Sequence, residues 1–176
     1  MPITPLGPDS PSAWVERFAD LIAPAGVVLD LAAGGGRHTR LLRRRGHPVV
    51  AVDRETSALR ALGDDGVSIV EADLETEAGW PLGAQRYVGV IVTNYLHRPL
   101  FPAIVAAVGA GGILIYETFA LGNERFGKPS NPAFLLRAGE LIDAVRGKLR
   151  ILAYEDLEIA SPRSAMVQRI VARADG

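Results

Sequence analysis

Three consecutive glycines, Gly34 to Gly36, stand between an apolar run and a basic run that has helical spacing. The apolar run, residues 27–31, is interrupted only by Asp30, and this pattern predicts a buried strand. The basic run extends to about Arg45 and predicts a helix. Glycines let the backbone turn sharply and let another molecule approach, and a helix N-terminus offers unpaired N–H groups. The sequence therefore predicts a nucleotide-binding turn at these glycines.

An acidic side chain, Asp53, ends the next apolar run, residues 48–53. An acid at this distance from the glycines, roughly twenty residues, commonly binds the ribose in nucleotide-binding sheets. The alternative is an N-terminal cap for a helix over residues 55–62, because aspartate is a favoured capping residue. The position directly after an apolar strand favours the ribose role.

Polar side chains follow the apolar run of residues 87–93: Asn94, Tyr95, His97 and Arg98. Open α/β sheets bind ligands beyond the carboxyl ends of their strands, so we expect these side chains to line a ligand-binding chamber. His97 is a candidate general base because imidazole exchanges protons near neutral pH. The alternative for His97 is a capping or packing role.

A long polar and glycine-rich segment, residues 118–138, follows the fifth predicted strand. Segments of this length in a compact domain are usually lids or binding loops, so we expect this one to select the substrate. Its Arg125 and Lys128, together with Arg98, are candidates for attracting an anionic substrate. The alternative is that these are solvated surface charges.

The composition excludes several classes of protein. The 176 residues carry a formal net charge of −1, which argues against nucleic acid as the main partner. There is no cysteine, so disulfides and Cys-ligated zinc are excluded, and three scattered histidines give no reason to expect a metal site. The uncharged stretch of residues 99–116 contains prolines and glycines, and it predicts a helix, a turn and a strand rather than a membrane span. With no signal-peptide pattern at its start, we expect a cytoplasmic protein.

Strands and helices alternate along one domain, residues 1–176, of which residues 1–11 are expected to be loosely ordered. Ser12 is predicted to cap the first helix. The last two strands are joined by a short loop and should pair antiparallel. Strands are predicted over residues 27–31, 48–53, 67–70, 87–93, 112–117, 149–155 and 166–172. Helices are predicted over residues 13–23, from the glycine turn to about 45, and over 55–62, 99–108 and 139–147.

Four features follow successive predicted strands: a D-x-A-x-G-x-G motif from Asp30 to Gly36, Asp53, the pair Asp73-Leu74, and the polar run from Asn94. In this order they resemble the motifs of the class I S-adenosylmethionine-dependent methyltransferases, and the resemblance covers nearly the whole chain. It implies a Rossmann-like, doubly wound α/β fold with seven strands in the order 3-2-1-4-5-7-6 and strand 7 antiparallel. Within the superfamily the chain looks most like small bacterial enzymes of the tellurite-resistance and thiopurine-methyltransferase type.

The resemblance also implies a cofactor, S-adenosyl-L-methionine, and the residues that bind it. Asp30, through its carboxylate or its backbone, would read the methionine amino group. Asp53 would hold the ribose, while Asp73 and the amide of Leu74 would hold the adenine. The other cofactor contacts predicted in the same cleft are Ala32, Gly34, Gly36 and Asn94.

Tyr95 and His97 are the catalytic candidates. Tyr95 would lie over the methionine part of the cofactor or orient the substrate, and His97 would act as the general base. Residues 94–97 do not form the Asn/Asp-Pro-Pro-aromatic box of enzymes that methylate adenine or glutamine amino groups, so that substrate class is disfavoured. The fourth strand ends in Thr93-Asn94 rather than in the carboxylates of catechol-type enzymes, so magnesium is not expected. The resulting expectation is a methyltransferase that acts on a small molecule.

Two other functions stay open from the sequence. A catalytically silent S-adenosylmethionine-binding protein, acting as a partner or sensor, would keep the same cofactor residues. A dinucleotide-dependent oxidoreductase would share the sheet, but its G-x-G-x-x-G fingerprint needs a glycine where this chain has Thr39.

Overall fold

Seven strands form one mixed sheet in the part of the chain that the computed structural model describes, residues 9–77 and 79–176. They are β1 (Val28–Leu31), β2 (Val49–Asp53), β3 (Val67–Glu71), β4 (Tyr87–Thr93), β5 (Val108–Phe119), β6 (Arg150–Ile159) and β7 (Ala165–Arg173). The order is 3-2-1-4-5-7-6; β1 to β5 are parallel, and β7 is antiparallel to both of its neighbours. The predicted α/β fold and strand order are confirmed. The prediction of a loosely ordered start falls mainly on residues 1–8, outside the described residues.

The register places the carboxyl ends of β1, β2 and β4 at one edge of the sheet. Leu31, the last residue of β1, pairs with Val52 of β2 and with Val92 of β4. The chain therefore leaves these three strands side by side. This is the edge at which open parallel sheets bind their ligands.

The α-helices of the described residues are short and flank the sheet. They are α1 (Ala13–Phe18), α2 (Arg37–Arg44), α3 (Ser57–Arg60), α4 (Phe101–Ala106) and α5 (Glu140–Val145). Ser12 caps α1 as predicted, because its Oγ accepts hydrogen bonds from the amides of Trp14 and Val15. Each helix is shorter than predicted, and short 3₁₀ turns take over part of the predicted length, as at Ala19–Leu21 and Arg98–Leu100.

Strand β5 is longer than predicted and includes the glycines that were expected to form a turn. The strand begins at Val108, and its pairing with β4 shifts register between Tyr87 and Gly89. A Cβ atom on Gly112 would lie 2.8 Å from the carbonyl oxygen of Tyr87, so only glycine permits this close backbone approach. The glycines thus form an irregular strand rather than a turn.

The central strands are buried on both faces, which explains their nearly continuous apolar sequences. All four residues of β1 are buried. One face packs against α1 and α2 through Trp14 and Leu42, and the other packs against α4 and α5 through Ile104 and Leu141. Within residues 9–77 and 79–176, no helix has the length and apolar character needed to cross a membrane.

Candidate functional site

The glycine turn between β1 and α2 is held open by left-handed backbone conformations. Gly34 has a φ of +54° and Gly36 a φ of +75°, and Gly36 precedes the first residue of α2. The amide of Gly34 donates a 2.8 Å hydrogen bond to Oδ2 of Asp53, so the end of β2 braces the turn. A Cβ atom on Gly34 would meet no described atom within 4 Å, and the space above the turn can therefore admit a ligand.

Two non-glycine residues at this edge of the sheet also adopt positive φ. Ala32 follows β1 and Asn94 follows β4, and each has a φ of +54°. Asparagine tolerates this conformation, whereas in alanine it costs about 1–2 kcal/mol of conformational free energy. Strained backbone of this kind concentrates at functional sites.

A first cavity of about 180 Å³ lies between the glycine turn and the loops after β2 and β3. Its lining includes Ala32, Asp53, Arg54, Asp73, Leu74 and Tyr95. The structure therefore brings together four of the eight residues predicted to bind a cofactor: Ala32, Asp53, Asp73 and Leu74. We call this space the cofactor cavity.

The two acids of the cofactor cavity have the same local geometry. Oδ1 of Asp53 accepts a 3.0 Å hydrogen bond from the amide of Glu55, and Oδ1 of Asp73 accepts a 2.9 Å bond from the amide of Glu75. Each carboxylate is thereby oriented by its own loop. Because each carboxylate oxygen can accept two hydrogen bonds, both groups keep capacity for a ligand hydroxyl or amino group.

Asp30 lies beneath the glycine turn rather than in the cavity. Its side chain is buried, and Thr39 Oγ1 donates a 2.6 Å hydrogen bond to its Oδ2. Burial raises the pKa of Asp30 to about 6, and the hydrogen bonds from Thr39 oppose this shift. The Asp30 carboxyl does not line the cavity, which leaves only the backbone of this residue for the predicted contact with a methionine amino group.

A second cavity of about 250 Å³ adjoins the first one. Its lining includes Asn94, Leu96, Thr118, Phe119, Pro129 and Phe134, and it shares Glu75 and Tyr95 with the cofactor cavity. We call it the acceptor cavity. Asn94, which the sequence assigns to the cofactor, lines this second cavity and not the cofactor cavity, so its cofactor role stays a prediction.

Tyr95 stands between the two cavities. Its carbonyl oxygen accepts a 2.8 Å hydrogen bond from the hydroxyl of Tyr116, which fixes the backbone at this point. Its own hydroxyl is buried and has no hydrogen-bond partner in the described part of the chain. Burial, reinforced by the nearby acids Glu75 and Asp73, raises the pKa of Tyr95 to about 12. The ring rather than the hydroxyl is therefore the part of Tyr95 available to a ligand.

The segment of residues 118–138 is ordered by contacts at its base. Ala120 and Leu136 form a parallel bridge, and the side chain of Asn123 bonds the carbonyl of Pro129 and the amide of Met166. Phe119 and Phe134 place two aromatic rings of this segment in the acceptor cavity. The expectation that the segment contributes to a substrate site agrees with this arrangement.

The predicted cationic substrate residues do not line either cavity. Arg98 donates to Oε1 of Glu140 at 2.6 Å and also bonds the carbonyls of Ala133 and Leu135. Burial alone would raise the pKa of Glu140, but hydrogen bonds from Arg98 and Arg137 outweigh it and lower that pKa to about 2. Arg98 therefore joins α5 to the end of the 118–138 segment instead of facing a ligand.

Three further candidates also lie outside the linings of both cavities. Arg125 donates to the carbonyl of Gly122 at 3.1 Å and lies 3.8 Å from the Glu158 carboxylate. His97 precedes the 3₁₀ turn after β4, and Lys128 precedes Pro129. The roles of His97, Arg125 and Lys128 therefore stay predictions.

The sequence reasoning missed a buried polar chain at the start of α2. The amide of Ser12 donates a 3.0 Å hydrogen bond to Nε2 of His38, and Nδ1 of His38 lies 3.3 Å from Thr93 Oγ1. The Ser12 hydroxyl donates to Glu117 at 2.7 Å, and Glu117 accepts a 3.1 Å bond from Arg169. Burial, and secondarily the charge of Arg37, lowers the pKa of His38 to about 3, so the ring is neutral. The capping sequence at Ser12 was the one available signal for this chain of contacts.

Comparison with known proteins gives matches only among solved structures: no family model and no curated protein matches the chain. TehB from Haemophilus influenzae superposes with a TM-score of 0.70 at 19% identity, over 92% of this chain and 61% of that one. An S-adenosylmethionine-dependent methyltransferase from Mesorhizobium loti superposes with a TM-score of 0.70 at 16% identity, over 92% and 98%. The chain has the class I methyltransferase fold.

A third similar structure has a cofactor product bound. The 1,6-didemethyltoxoflavin-N1-methyltransferase from Burkholderia thailandensis, with S-adenosylhomocysteine, superposes with a TM-score of 0.67 at 21% identity, over 93% of this chain and 77% of that one. At these identities the likeness establishes the class I methyltransferase fold. The TehB match agrees with the expected resemblance to tellurite-resistance proteins, although this chain spans only 61% of the TehB chain.

Proposed function

We propose that this protein is an S-adenosylmethionine-dependent methyltransferase that acts on a small molecule. The observation that carries the proposal is the pair of adjoining cavities at the carboxyl edge of the sheet. One is formed by a glycine turn and two oriented acids, the other by apolar and aromatic side chains, and Tyr95 stands between them. A donor and an acceptor would thus meet at the shared wall.

The residues of the cofactor cavity fit S-adenosylmethionine. Asp53 would accept the ribose hydroxyls, Asp73 the adenine amino group, and the amide of Leu74 would face the adenine ring. The open space above Gly34 leaves room for the methionine part next to Ala32 and the backbone of Asp30. When bound, this cofactor supplies a methyl group attached to a positively charged sulfur. The three solved structures with this fold support the proposal, one of them with S-adenosylhomocysteine bound.

The chain's own contribution is mainly to position the acceptor. Holding two reacting groups in line can supply about 7–11 kcal/mol of a reaction barrier. Among the described residues that line the acceptor cavity, Glu75 and Tyr95 are the ionisable ones, and His97 does not line it. The proposed reaction therefore suits an acceptor that needs no strong base, with Glu75 or water taking any proton it releases.

The proposed acceptor is a small molecule rather than nucleic acid, and the proposed location is the cytoplasm. The near-neutral formal charge of −1 supports the first point. No partner protein is assigned.

Thermal unfolding with added ligands tests the cofactor. S-adenosylmethionine and S-adenosylhomocysteine should raise the melting temperature, whereas NAD and NADP should leave it unchanged. Stabilisation by NAD alone would reject the assignment. Mass detection of methylated products across a panel of O-, N-, S- and chalcogen nucleophiles then tests turnover. Cofactor binding without any S-adenosylhomocysteine release would favour a silent binding protein instead.

A further inference from the structure

The walls of the acceptor cavity are aromatic and come from three separate parts of the chain. Tyr95 follows β4, Phe119 ends β5, and Phe134 ends a 3₁₀ turn over Pro132–Phe134. Leu96 and Pro129 complete the apolar surface. Aromatic rings that converge on one space offer faces for stacking a flat ligand.

We infer that the acceptor cavity binds a flat aromatic acceptor of one or two rings that is neutral or positively charged, and discriminates against aromatic anions. This inference rests on the proposed function, because it names the substrate class of the same site. It differs from the sequence expectation of an anionic substrate, which was based on Arg98, Arg125 and Lys128.

The residues on both sides of Phe134 are held in place before any ligand arrives. The side chain of Asn131 accepts a 2.9 Å hydrogen bond from the amide of Ala133, and the neighbouring Leu135 is completely buried. Phe134 nevertheless keeps 49% of its surface exposed. A large aromatic ring that is half exposed at a cavity wall is suited to stacking on a ligand, because the exposed half of its surface can be buried by the ligand.

The charge of the site disfavours anions. Glu75 is the only charged residue among those lining the acceptor cavity in the described chain. In the adjoining cofactor cavity Asp53 and Asp73 add two further acids against the single cation Arg54. A carboxylate in this space would face the Glu75 carboxylate with no cationic side chain in the lining of the acceptor cavity, whereas an amine would be attracted to Glu75.

Three arginines near the acceptor cavity are engaged elsewhere. Arg98 bonds Glu140 and two carbonyls, and Arg125 bonds a carbonyl of its own turn. Arg163 donates to the carbonyl of Lys128, and its guanidinium lies 5.4 Å from the ring centre of Phe119. These arginines stabilise the segment that forms the cavity instead of offering a free positive charge to a ligand.

The volume of the acceptor cavity limits the size of its ligand. At about 250 Å³ it lies just below the range for small-molecule sites, roughly 300–1,000 Å³. This space suits one or two fused rings. A larger acceptor would have to extend past the exposed edge of Phe134.

The inference is tested by calorimetric titration of the full chain, first with S-adenosylhomocysteine and then, at saturation, with matched probes. The probes are a quinoline carrying an amino group, a hydroxyl group or a carboxylate at the same position. The amine and the alcohol should bind, and the carboxylate should bind about tenfold more weakly or not at all. Glu75→Gln should reduce that discrimination several-fold, and Phe134→Ala should weaken the amine and the alcohol about tenfold.

Phe126→Ala is the matched control, because Phe126 is an exposed aromatic of the same segment, stacked with Arg125 and absent from the lining. It should change none of the affinities. Equal or tighter binding of the carboxylate, no binding of the amine and alcohol, or an unchanged affinity in Phe134→Ala would each overturn the inference. In those cases binding of S-adenosylhomocysteine still upholds the cofactor proposal. Failure of the first titration would reject the cofactor proposal and the inference together.

Discussion

The amide of Gly34 donates a 2.8 Å hydrogen bond to the carboxylate of Asp53, across 19 positions of sequence. The acid that we propose for the ribose therefore also holds the shape of the glycine turn. Loss of this side chain would disturb both ends of the cofactor cavity, whereas loss of its charge alone would leave the turn in place.

Replacing Asp53 separates these two contributions. Asp53→Ala should weaken S-adenosylhomocysteine binding by about 1–3 kcal/mol, because charge-assisted hydrogen bonds are lost, and Asp53→Asn should weaken it less. Calorimetric titration measures both. The control is Asp65→Ala, an exposed acid in the turn before β3 and outside the cofactor cavity. An Asp53→Ala variant with wild-type affinity would reject the ribose role.

Asp30 should make the protein less stable as the pH rises through weakly acidic values. Its pKa rises from 3.8 to about 6 on folding, so the folded state holds the proton more tightly than the unfolded chain. The free energy of unfolding should therefore fall between about pH 4 and pH 6, by roughly 3 kcal/mol from this group. Urea unfolding across this range, compared with Asp30→Asn, measures the difference. The variant should lack this contribution, and a parallel pH dependence in both proteins would contradict the prediction.

His38 should act in the opposite direction. Its pKa falls from 6.5 to about 3 on folding, so the unfolded chain binds the extra proton more readily. Stability from this group is complete above about pH 6.5 and is lost as the pH falls toward 3, by up to about 5 kcal/mol. In His38→Gln the side-chain oxygen can still accept the amide of Ser12 but does not titrate. Acid unfolding midpoints should therefore move to lower pH in the variant, and an unchanged midpoint would count against this role.

The hydroxyl of Tyr95 should be dispensable. Tyr95→Phe removes an oxygen that is buried without a hydrogen-bond partner, so the free energy of unfolding should stay the same or rise by up to about 1 kcal/mol. Tyr95→Ala should instead weaken ligand binding, because the wall between the cavities is lost. Chemical denaturation and titration with S-adenosylhomocysteine distinguish the two variants. If Tyr95→Phe keeps cofactor affinity but loses turnover with an identified acceptor, the hydroxyl does take part in the reaction.

Arg98 should be structural. Arg98→Ala leaves the largely buried Glu140 without its closest partner and should lower the free energy of unfolding by about 2–3 kcal/mol. The comparison is Arg146→Ala, whose pair with Asp143 is 71% exposed on both sides and should contribute less than about 0.5 kcal/mol. Urea denaturation measures both changes. Equal free energies of unfolding for the two variants would contradict a structural role for Arg98 and would again favour a role in substrate binding.

Local sequence patterns predicted the strands well, and they also predicted four residues that line the cofactor cavity, because both depend on short-range signals. A few neighbouring residues are enough to interpret three features: the apolar run from Val28 to Leu31, the glycines after it, and the acid Asp53. Parallel strands with short connections then bring their carboxyl ends together without further information. The sheet order came from the family resemblance, and the structure confirms it.

The sequence could not show contacts between distant residues. Arg98 is hydrogen-bonded to Glu140, 42 positions later in the sequence, and His38 is hydrogen-bonded to Ser12, 26 positions earlier. No local sequence pattern could therefore show that the Arg98 guanidinium or the His38 ring already has a partner. The buried side chain of Asp30 is hydrogen-bonded to Thr39. The sequence reasoning used Thr39 only as evidence against a dinucleotide cofactor. Asn94 lines the acceptor cavity, and its contact with the cofactor stays a prediction.

Strand β7 lies between β5 and β6, both of which precede it in the chain. During synthesis on the ribosome, β6 therefore emerges before the strand that it must pair with, and β5 waits with an uncovered edge. Because β7 pairs last, a partly folded intermediate with an unpaired strand edge forms first, and it can aggregate with a neighbouring nascent chain. We therefore expect a chain that lacks residues 165–173 to aggregate, because the edge of β5 then stays uncovered.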